Sequence, residues 1–481
     1  MSKERRGSQY VNQSRKQSGT STVRYYPEYA RIDWIHALSL KAKDMVFSNL
    51  YHHINVENLK VAFRKLDKHK AYGIDEISKE MYQANLEENI NELFTKISKN
   101  KWYPKPSKEV FIPKANGEKR AIAIGCTEDK IVQNLVATIL EAIYEPIFYD
   151  FSYGFRRGKS AHNGVSNLYE AINSNYKNCY VVEIDIEKFF DRVNHKELVK
   201  LLKIKIKEVR FITLLIRMLK NSILSEEGKI RTNINGTPQG SPVSPILANI
   251  FLHYILDEWF MKNYSNKGKI IRYADDVVFV FKEETEAKEF YQDLNSRLNE
   301  FGLNINQRKS KIQKFDYKSP DGTIKFLGFE FYWGNAGQKK YILKLKTAKD
   351  KLRRSMQEFK RWIKKNRNRT KLSKLWDIAS AKIRGHYNYF GISFNSSKLY
   401  YFYKFCIKEL YKWLNRRSQK RSFTWEKFCT RLRYEPLPKP PYGFELKRII
   451  GQTWKHTLKS RMRENRKYGS ERSLGANPMF T

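Results

Sequence analysis

Cysteine is scarce and unpaired in this chain: Cys126, Cys179, Cys406 and Cys429 lie far apart, with no C-x-x-C among them. That spacing signals neither a disulfide framework nor a zinc site, and small buried hydrophobes are the roles left for the four. The nine histidines are equally scattered, with nothing at ligand spacing around the adjoining His52 and His53, so no zinc is expected. Long apolar runs are missing too. No stretch approaches the roughly 18 consecutive apolar residues that a membrane-spanning helix needs, and no membrane partner is expected. The opening MSKERRGSQYVNQSRKQSG is polar and basic with no apolar stretch behind it, unlike a secretory signal. A soluble, cytoplasmic protein is the reading. Acid is also in short supply: 50 Asp and Glu stand against 92 Lys and Arg, a formal net charge of +42. A compact chain so charged repels itself unless a polyanion neutralises it, and nucleic acid is the natural counterion.

With 481 residues the chain has room for two or three domains of roughly 100 to 200 residues each. The first 30 or so residues are polar and charged, the composition of an arm rather than a core. From about Asn55 to Asn100 apolar positions such as Leu59, Phe63 and Leu66 recur at helical spacing. VFIPK and RAIAI flank Asn116-Gly117, which predicts a β-hairpin. Helical patterning resumes with IVQNLVATILEAIYEPIF. A strand YVVEIDI follows at 180–186, then helices, then a proline- and glycine-rich loop from Gly236 to Pro245. A helix over Ala248 to Phe260 leads into a two-stranded hairpin, KIIRYADDVVFVF. This order predicts an α+β unit with helices on one face of a small antiparallel sheet. Beyond about Gly334 the chain turns basic: fifteen Lys and Arg fall between Gln338 and Lys371, against Asp350 and Glu358 alone. Within that stretch Leu352, Met356, Phe359 and Ile363 form the stripe of a helix with one buried face and a basic outer face. Helical segments at about 371–390 and 398–415 follow, and the cluster EPLPKPP closes them.

Arg272-Tyr273-Ala274-Asp275-Asp276 is the most informative segment, because two adjacent carboxylates sit where the hairpin must turn. Like charges side by side are costly unless cations neutralise them. Alone, the pair reads rather as a solvated turn with Asp chosen for its backbone geometry. A second element changes the balance. In YVVEIDIEKFFDRVNH, Asp185 lies in or at the end of an apolar strand, where a lone Asp is expensive and needs a partner or a metal. If the two strand units pair, Asp185, Asp275 and Asp276 converge as catalytic carboxylates, with the Ile186 carbonyl as a further ligand. Magnesium, a hard cation that prefers carboxylate oxygen, suits the set. Two Mg²⁺ ions about 3.5 to 4 Å apart serve in-line displacement at phosphorus: one activates a primer 3′-hydroxyl and the other stabilises the leaving pyrophosphate. Glu183, Glu187 and Asp191 read as structural or surface acids.

Tyr-Ala-Asp-Asp between hydrophobic strands, with a strand Asp before it, resembles the reverse transcriptase palm. IPKANGEKRAIAI is similar to the fingers hairpin of that family, SYGFRRGKSAH to its template-contacting element, and GTPQGSPVSPILANIFLHYILDEWF to the segment ahead of the YADD hairpin. They occur in the order of the group II intron reverse transcriptase/maturase family, over roughly residues 30 to 440. The resemblance implies a right-hand polymerase fold. Its parts are a basic N-terminal extension (1–50), fingers and palm (51–335), a helical thumb or maturase X domain (336–435) and a basic tail (436–481). It implies nucleotide contacts from Lys114 and Arg120 to the triphosphate, Phe190 as the steric gate against a ribose 2′-hydroxyl, Gln239 in the nucleotide pocket and Lys309, with Lys311 as rival, near the leaving pyrophosphate. Template and primer contacts fall to Arg156, Arg157 and, in the primer-gripping KFLGFEF, Gly328. For each a plainer role stands alongside: surface charge for the cations, core aromatic for Phe190. The implied partners are an RNA template, its own intron RNA, together with a DNA primer or target and dNTPs.

IRGHYNYFGIS at 383–393, with the aromatic helices and KWLNRRS after it, resembles the X domain, and a generic basic thumb is the plainer reading. The family's histidine- and cysteine-containing endonuclease domain has no counterpart in 442–481, where His456 stands without a cysteine, so second-strand nicking is not expected. The tail reads as either a reduced DNA-binding segment or solvated charge. Glu76 in YGIDEIS replaces the family's usual glycine. Two other readings are a defence- or CRISPR-associated reverse transcriptase of the same lineage and a non-enzymatic splicing maturase; the latter sits poorly with three intact aspartates.

Overall fold

The computed structural model describes residues 25–113, 119–174, 176–319, 321–335, 341–417 and 424–441. Strands β1 (Ser107–Pro113) and β2 (Lys119–Ile124) pair antiparallel, Pro113 opposite Lys119, as the apolar runs around Asn116-Gly117 predict. The turn, and Lys114 with it, lies outside the described residues. After β3 (Asn178–Asp185) come two-residue strands β4 (Ile223–Leu224) and β5 (Ile230–Arg231), too short to carry any periodicity in sequence. They extend the fingers sheet in the order β2-β1-β4-β5, with β4 parallel to β1.

The palm sheet runs β6 (Gly268–Tyr273), β7 (Asp276–Phe281), β3, β8 (Lys311–Asp316), antiparallel throughout. Side chains alternate across a strand, and here both faces are covered. Val182, Ile184, Phe279 and Phe281 enter a core shared with the helices Thr127–Tyr144, Ser244–Leu252 and Glu284–Glu300. Val181, Val278, Val280 and Phe315 enter a second core shared with the helix Ala161–Ser174 and the thumb. The one-faced sheet expected from sequence is therefore corrected: two buried faces are why DVVFVF is a continuous apolar run rather than an alternating one.

Two domain boundaries move. The helix Ile32–Lys41 packs on Thr127–Tyr144 and buries Tyr26, Tyr29, Ile32 and Ile35, so residues 25–50 belong to the core and not to an extension. At the other end, strands β9 (Ile324–Phe326), β10 (Phe329–Asn335) and β11 (Tyr341–Thr347) form an antiparallel sheet, so a thumb boundary at 335/336 would split β10 from its partner. The helical region begins at Lys349, with helices Lys349–Asn366, Leu372–Phe390, Ser396–Leu414 and Trp425–Tyr434. No helix among the described residues is long and apolar enough to cross a membrane.

Candidate active site

β3 and β7 pair with Asp185 opposite Asp276, and the β6–β7 turn puts Asp275 beside them. Asp185 is the last residue of β3, where its strand is carried onward by pairing of Ile186 with Ile305 and by Asn306 N–H donating to the Asp185 carbonyl at 2.8 Å. The Asp185 N–H donates to Ser310 Oγ at 3.0 Å. Of the two lysines on this segment, Lys309 Nζ stands 3.4 Å from Asp185 Oδ2, while Lys311 pairs with Glu183 at 3.3 Å.

The turn itself is built under constraint. Ala274 adopts a left-handed φ of 56°, a region that favours glycine. Three elements hold it there. Gly154 lies so close that a Cβ would stand 2.4 Å from Ala274 N. Arg272, wholly buried, donates to the Ala274 carbonyl at 3.2 Å and to Asn249 Oδ1 at 3.1 Å. Its other nitrogens bind both carboxylate oxygens of Asp257, also wholly buried. Asn249 closes the ring by donating to the Gly154 carbonyl at 2.8 Å. The segment 151–153 pairs along β6 through Arg272 N–H to Phe151 O (2.9 Å) and Tyr153 N–H to Arg272 O (2.8 Å).

The electrostatics mark a site short of positive charge. Dehydration by surrounding protein raises the Asp275 carboxyl; Asp185 adds to the rise, while Arg120 and Arg272 oppose it. Asp276 keeps an exposed surface, yet the protein displaces enough water around it, with Asp275 and Asp185 adding repulsion, to push it up to about 6; Lys351 opposes the rise. Hard carboxylate oxygens brought together in this way, with the Asp275 and Asp276 carboxyls raised, are a donor set that fits a divalent cation. The three are not drawn into a closed cage. Among the described residues no group of three Asp, Glu, His or Cys side chains stands at ion-holding distance.

A cleft of about 350 Å³ is lined by Ala121 to Ala123 of β2, by Phe190 and Asp191, and by the loop Arg231 to Gln239. Phe190 and Gln239 thus share a cavity, and Arg120 neighbours it on β2. Gly328 sits in the β9–β10 turn, where Leu327 and Gly328 both have positive φ, 49° and 81°, the backbone of a type I′ hairpin. Tyr389 of the thumb donates to the Leu327 carbonyl at 2.9 Å, which docks that turn on the thumb.

Arg156 departs from its expected role. It is buried, ion-paired with Glu145 at 2.9 Å, and donates to the carbonyls of Tyr149 (2.6 Å) and Ser152 (2.7 Å). A guanidinium so enclosed anchors the loop instead of reaching a template. Arg157 is partly exposed, bonds Glu141 at 3.3 Å and the Tyr25 carbonyl at 3.2 Å, and covers the Tyr26 ring. Functional neighbours that the sequence did not single out are Gly154, Asn249, Asp257 and Lys351. Asn249 and Asp257 carried a signal, since each interrupts an otherwise apolar helix and a buried polar group needs a partner.

Residues 112–331, which hold Asp185, Asp275 and Asp276, match the family described as reverse transcriptase (RNA-dependent DNA polymerase). Relatives sharpen the class. The chain is 28% identical over 434 residues to an uncharacterized 91 kDa protein in the cob intron of Schizosaccharomyces pombe, covering 74% of this chain and 52% of that protein. It is 33% identical over 229 residues to the group II intron-encoded protein LtrA of Lactococcus lactis, covering 47% and 38%. It is 29% identical over 289 residues to protein YkfC of Escherichia coli, covering 53% and 74%. The chain spans about half the length of the first and less of the second. The family match and these relatives show similarity to reverse transcriptases, a group II intron-encoded protein among them. The family is generally dependent on a divalent metal.

Proposed function

We propose that this chain is an RNA-directed DNA polymerase that copies group II intron RNA into cDNA and assists splicing and mobility of that intron. The register that sets Asp185 opposite Asp276, with Asp275 on the adjoining turn, carries the reading. Asp185, Asp275, Asp276 and the Ile186 carbonyl are the proposed ligands of two Mg²⁺ ions. When bound, these supply Lewis-acid activation of the primer hydroxyl and charge neutralisation at the phosphorus. Lys309 and Arg120 flank the carboxylates and suit the triphosphate of an incoming dNTP. Phe190 and Gln239 face the cleft in which its sugar and base would lie, and Lys114 of the fingers turn is a further proposed phosphate contact. Arg157 and the Leu327-Gly328 turn are proposed to border template and primer. Location with nucleic acid in the cytoplasm follows from the partners proposed.

The test is divalent-metal-dependent extension of a DNA primer on an RNA template. Wild type extends; Asp275→Ala and Asp276→Ala each lose about a thousandfold or more, the several kcal/mol that metal stabilisation of transition-state charge supplies. A folded, RNA-binding wild type with no extension would replace this reading with that of a splicing protein lacking polymerase activity.

A further inference from the structure

Resting on the reading of Phe190 as the sugar gate, we infer that the strap Asn233–Gly240 is the element that positions this ring, and that Gly236, Thr237 and His195 are specificity-determining positioning residues. Phe190 belongs to a single helical turn, Phe189–Arg192, entered through Lys188 at a left-handed φ of 47°. One turn of helix has little rigidity of its own, so the ring's place is set by what grips its backbone.

The strap grips it at two carbonyls. Thr237 N–H donates to Phe190 O at 2.7 Å, and Gly236 N–H donates to Val193 O at 2.7 Å. Gly236 has a φ of 87°, and a Cβ there would stand 2.7 Å from both Phe190 O and Asp191 O. Only glycine lets strap and gate backbone lie this close. The Gly236 carbonyl is held in turn by His195 Nε2 at 2.6 Å and by Asn233 Nδ2 at 3.2 Å, the latter also bonding Leu219 O at 3.1 Å. His195 is buried, and burial keeps its imidazole pKa below the usual value, which favours the neutral ring. With a carbonyl as partner, Nε2 carries the proton.

The other end of the strap is tied across the cleft. Ala123 N–H of β2 donates to Gln239 O at 2.8 Å, and a Cβ on Gly240 would meet Ala123 O at 2.6 Å. Only Pro238 therefore separates Thr237, tied to the gate, from Gln239, tied to the fingers strand, and Phe190, Ala123 and Gln239 line the same cleft. The strap sets how far the Phe190 ring stands from the opposite wall, which is where a 2′-hydroxyl would have to fit.

The experiment compares kcat/KM for a dNTP and the matching rNTP in primer extension by the full chain. The variants are Phe190→Ala, Gly236→Ala, His195→Ala and His195→Gln. A role in overall folding lowers both nucleotides alike and leaves their ratio in place; a role in placing the gate moves the ratio. Phe190→Ala is expected to abolish most discrimination. Gly236→Ala and His195→Ala are expected to raise relative rNTP use on the order of tenfold, the scale of one displaced packing group. His195→Gln, which keeps a donor for Gly236 O, is expected to restore part of it. In the Phe190→Ala background neither strap variant should shift the ratio further. If Phe190→Ala changes the ratio and neither Gly236→Ala nor His195→Ala does, the strap proposal is overturned while the gate stands. If Phe190→Ala itself leaves the ratio unchanged, the gate reading falls and the proposal with it. His195→Ala leaves every backbone φ compatible with its residue and so keeps the test decisive should Gly236→Ala fail to fold.

Discussion

Asn249 and Asp257 are eight positions apart on one helical stretch, yet both bind Arg272. At 3.6 residues per turn, eight positions leave the second about 80° round the axis from the first. The wide π turn His253–Asp257 underwinds the chain and returns Asp257 toward Arg272. Because both partners are sealed from water, cutting one strands the other's charge. Asp257→Ala is expected to destabilise the fold by about 3–5 kcal/mol in urea denaturation, whereas replacing both partners by apolar residues of similar volume costs far less. A loss within about 1 kcal/mol, as for an exposed pair, would show that water reaches Arg272. The carboxylates proposed to hold metal obey a different sign. Asp276 rises from 3.8 to about 6 on folding. Its cost to stability is absent at low pH, where folded and unfolded states are both protonated. The cost grows above pH 3.8 and is complete above about 6. A cation binds the deprotonated site and cancels that cost. Excess Mg²⁺ is therefore expected to raise Tm at about pH 7.5 and to raise it little at about pH 5. Equal shifts at the two would place the ion elsewhere.

The thumb helix Lys349–Asn366 shows which elements declare themselves in sequence. Its stripe was legible because one face meets the core: Leu352, Phe359 and Ile363 are buried, and Met356 packs partly exposed against them. Phe359→Ala is expected to cost about 3–5 kcal/mol by thermal or urea unfolding, and Met356→Ala clearly less, since the loss scales with the cavity left behind. Costs of equal size would mean that the stripe is not the packed face. The YADD hairpin was legible for another reason, that adjacent carboxylates between apolar strands, together with Asp185 on a second strand, are costly unless cations neutralise them. β11 was hidden because Lys344 and Lys346 alternate with the buried Leu343 and Leu345 inside a segment whose overall basicity reads as helix surface. β4 and β5 could not be read at all, because two residues have no period. Arg156 misled for want of its partners: nothing near it in sequence announces that Glu145 and two loop carbonyls will enclose it. Asn249 and Asp257 went unremarked although each breaks an apolar helix, because their partner Arg272 belongs to a different element.

At the scale of the whole molecule, the charge of +42 has to be deployed where phosphates run, or it serves only to repel. On the thumb, Lys349, Arg353 and Lys360 are all exposed, the second and third lying four and eleven positions along from the first, which at 3.6 residues per turn is one face of the helix. That face flanks the buried stripe. Lys351, at the same end of the helix as Lys349, lies close enough to Asp276 to offset the rise in its pKa. A cationic face that starts near Asp276 and leads away from it suits the backbone of a template–primer duplex, and phosphate contacts position a duplex without reading its sequence. Replacing Lys349, Arg353 and Lys360 together by Gln is thus expected to weaken duplex DNA binding alike for unrelated sequences. The slope of log affinity against log salt should flatten by about 0.9 for each phosphate that is no longer neutralised, as read by fluorescence anisotropy across a salt series. An unchanged slope in the triple variant, with the fold intact by circular dichroism, would move the duplex to another face. A loss confined to one sequence would instead mean that these residues read bases.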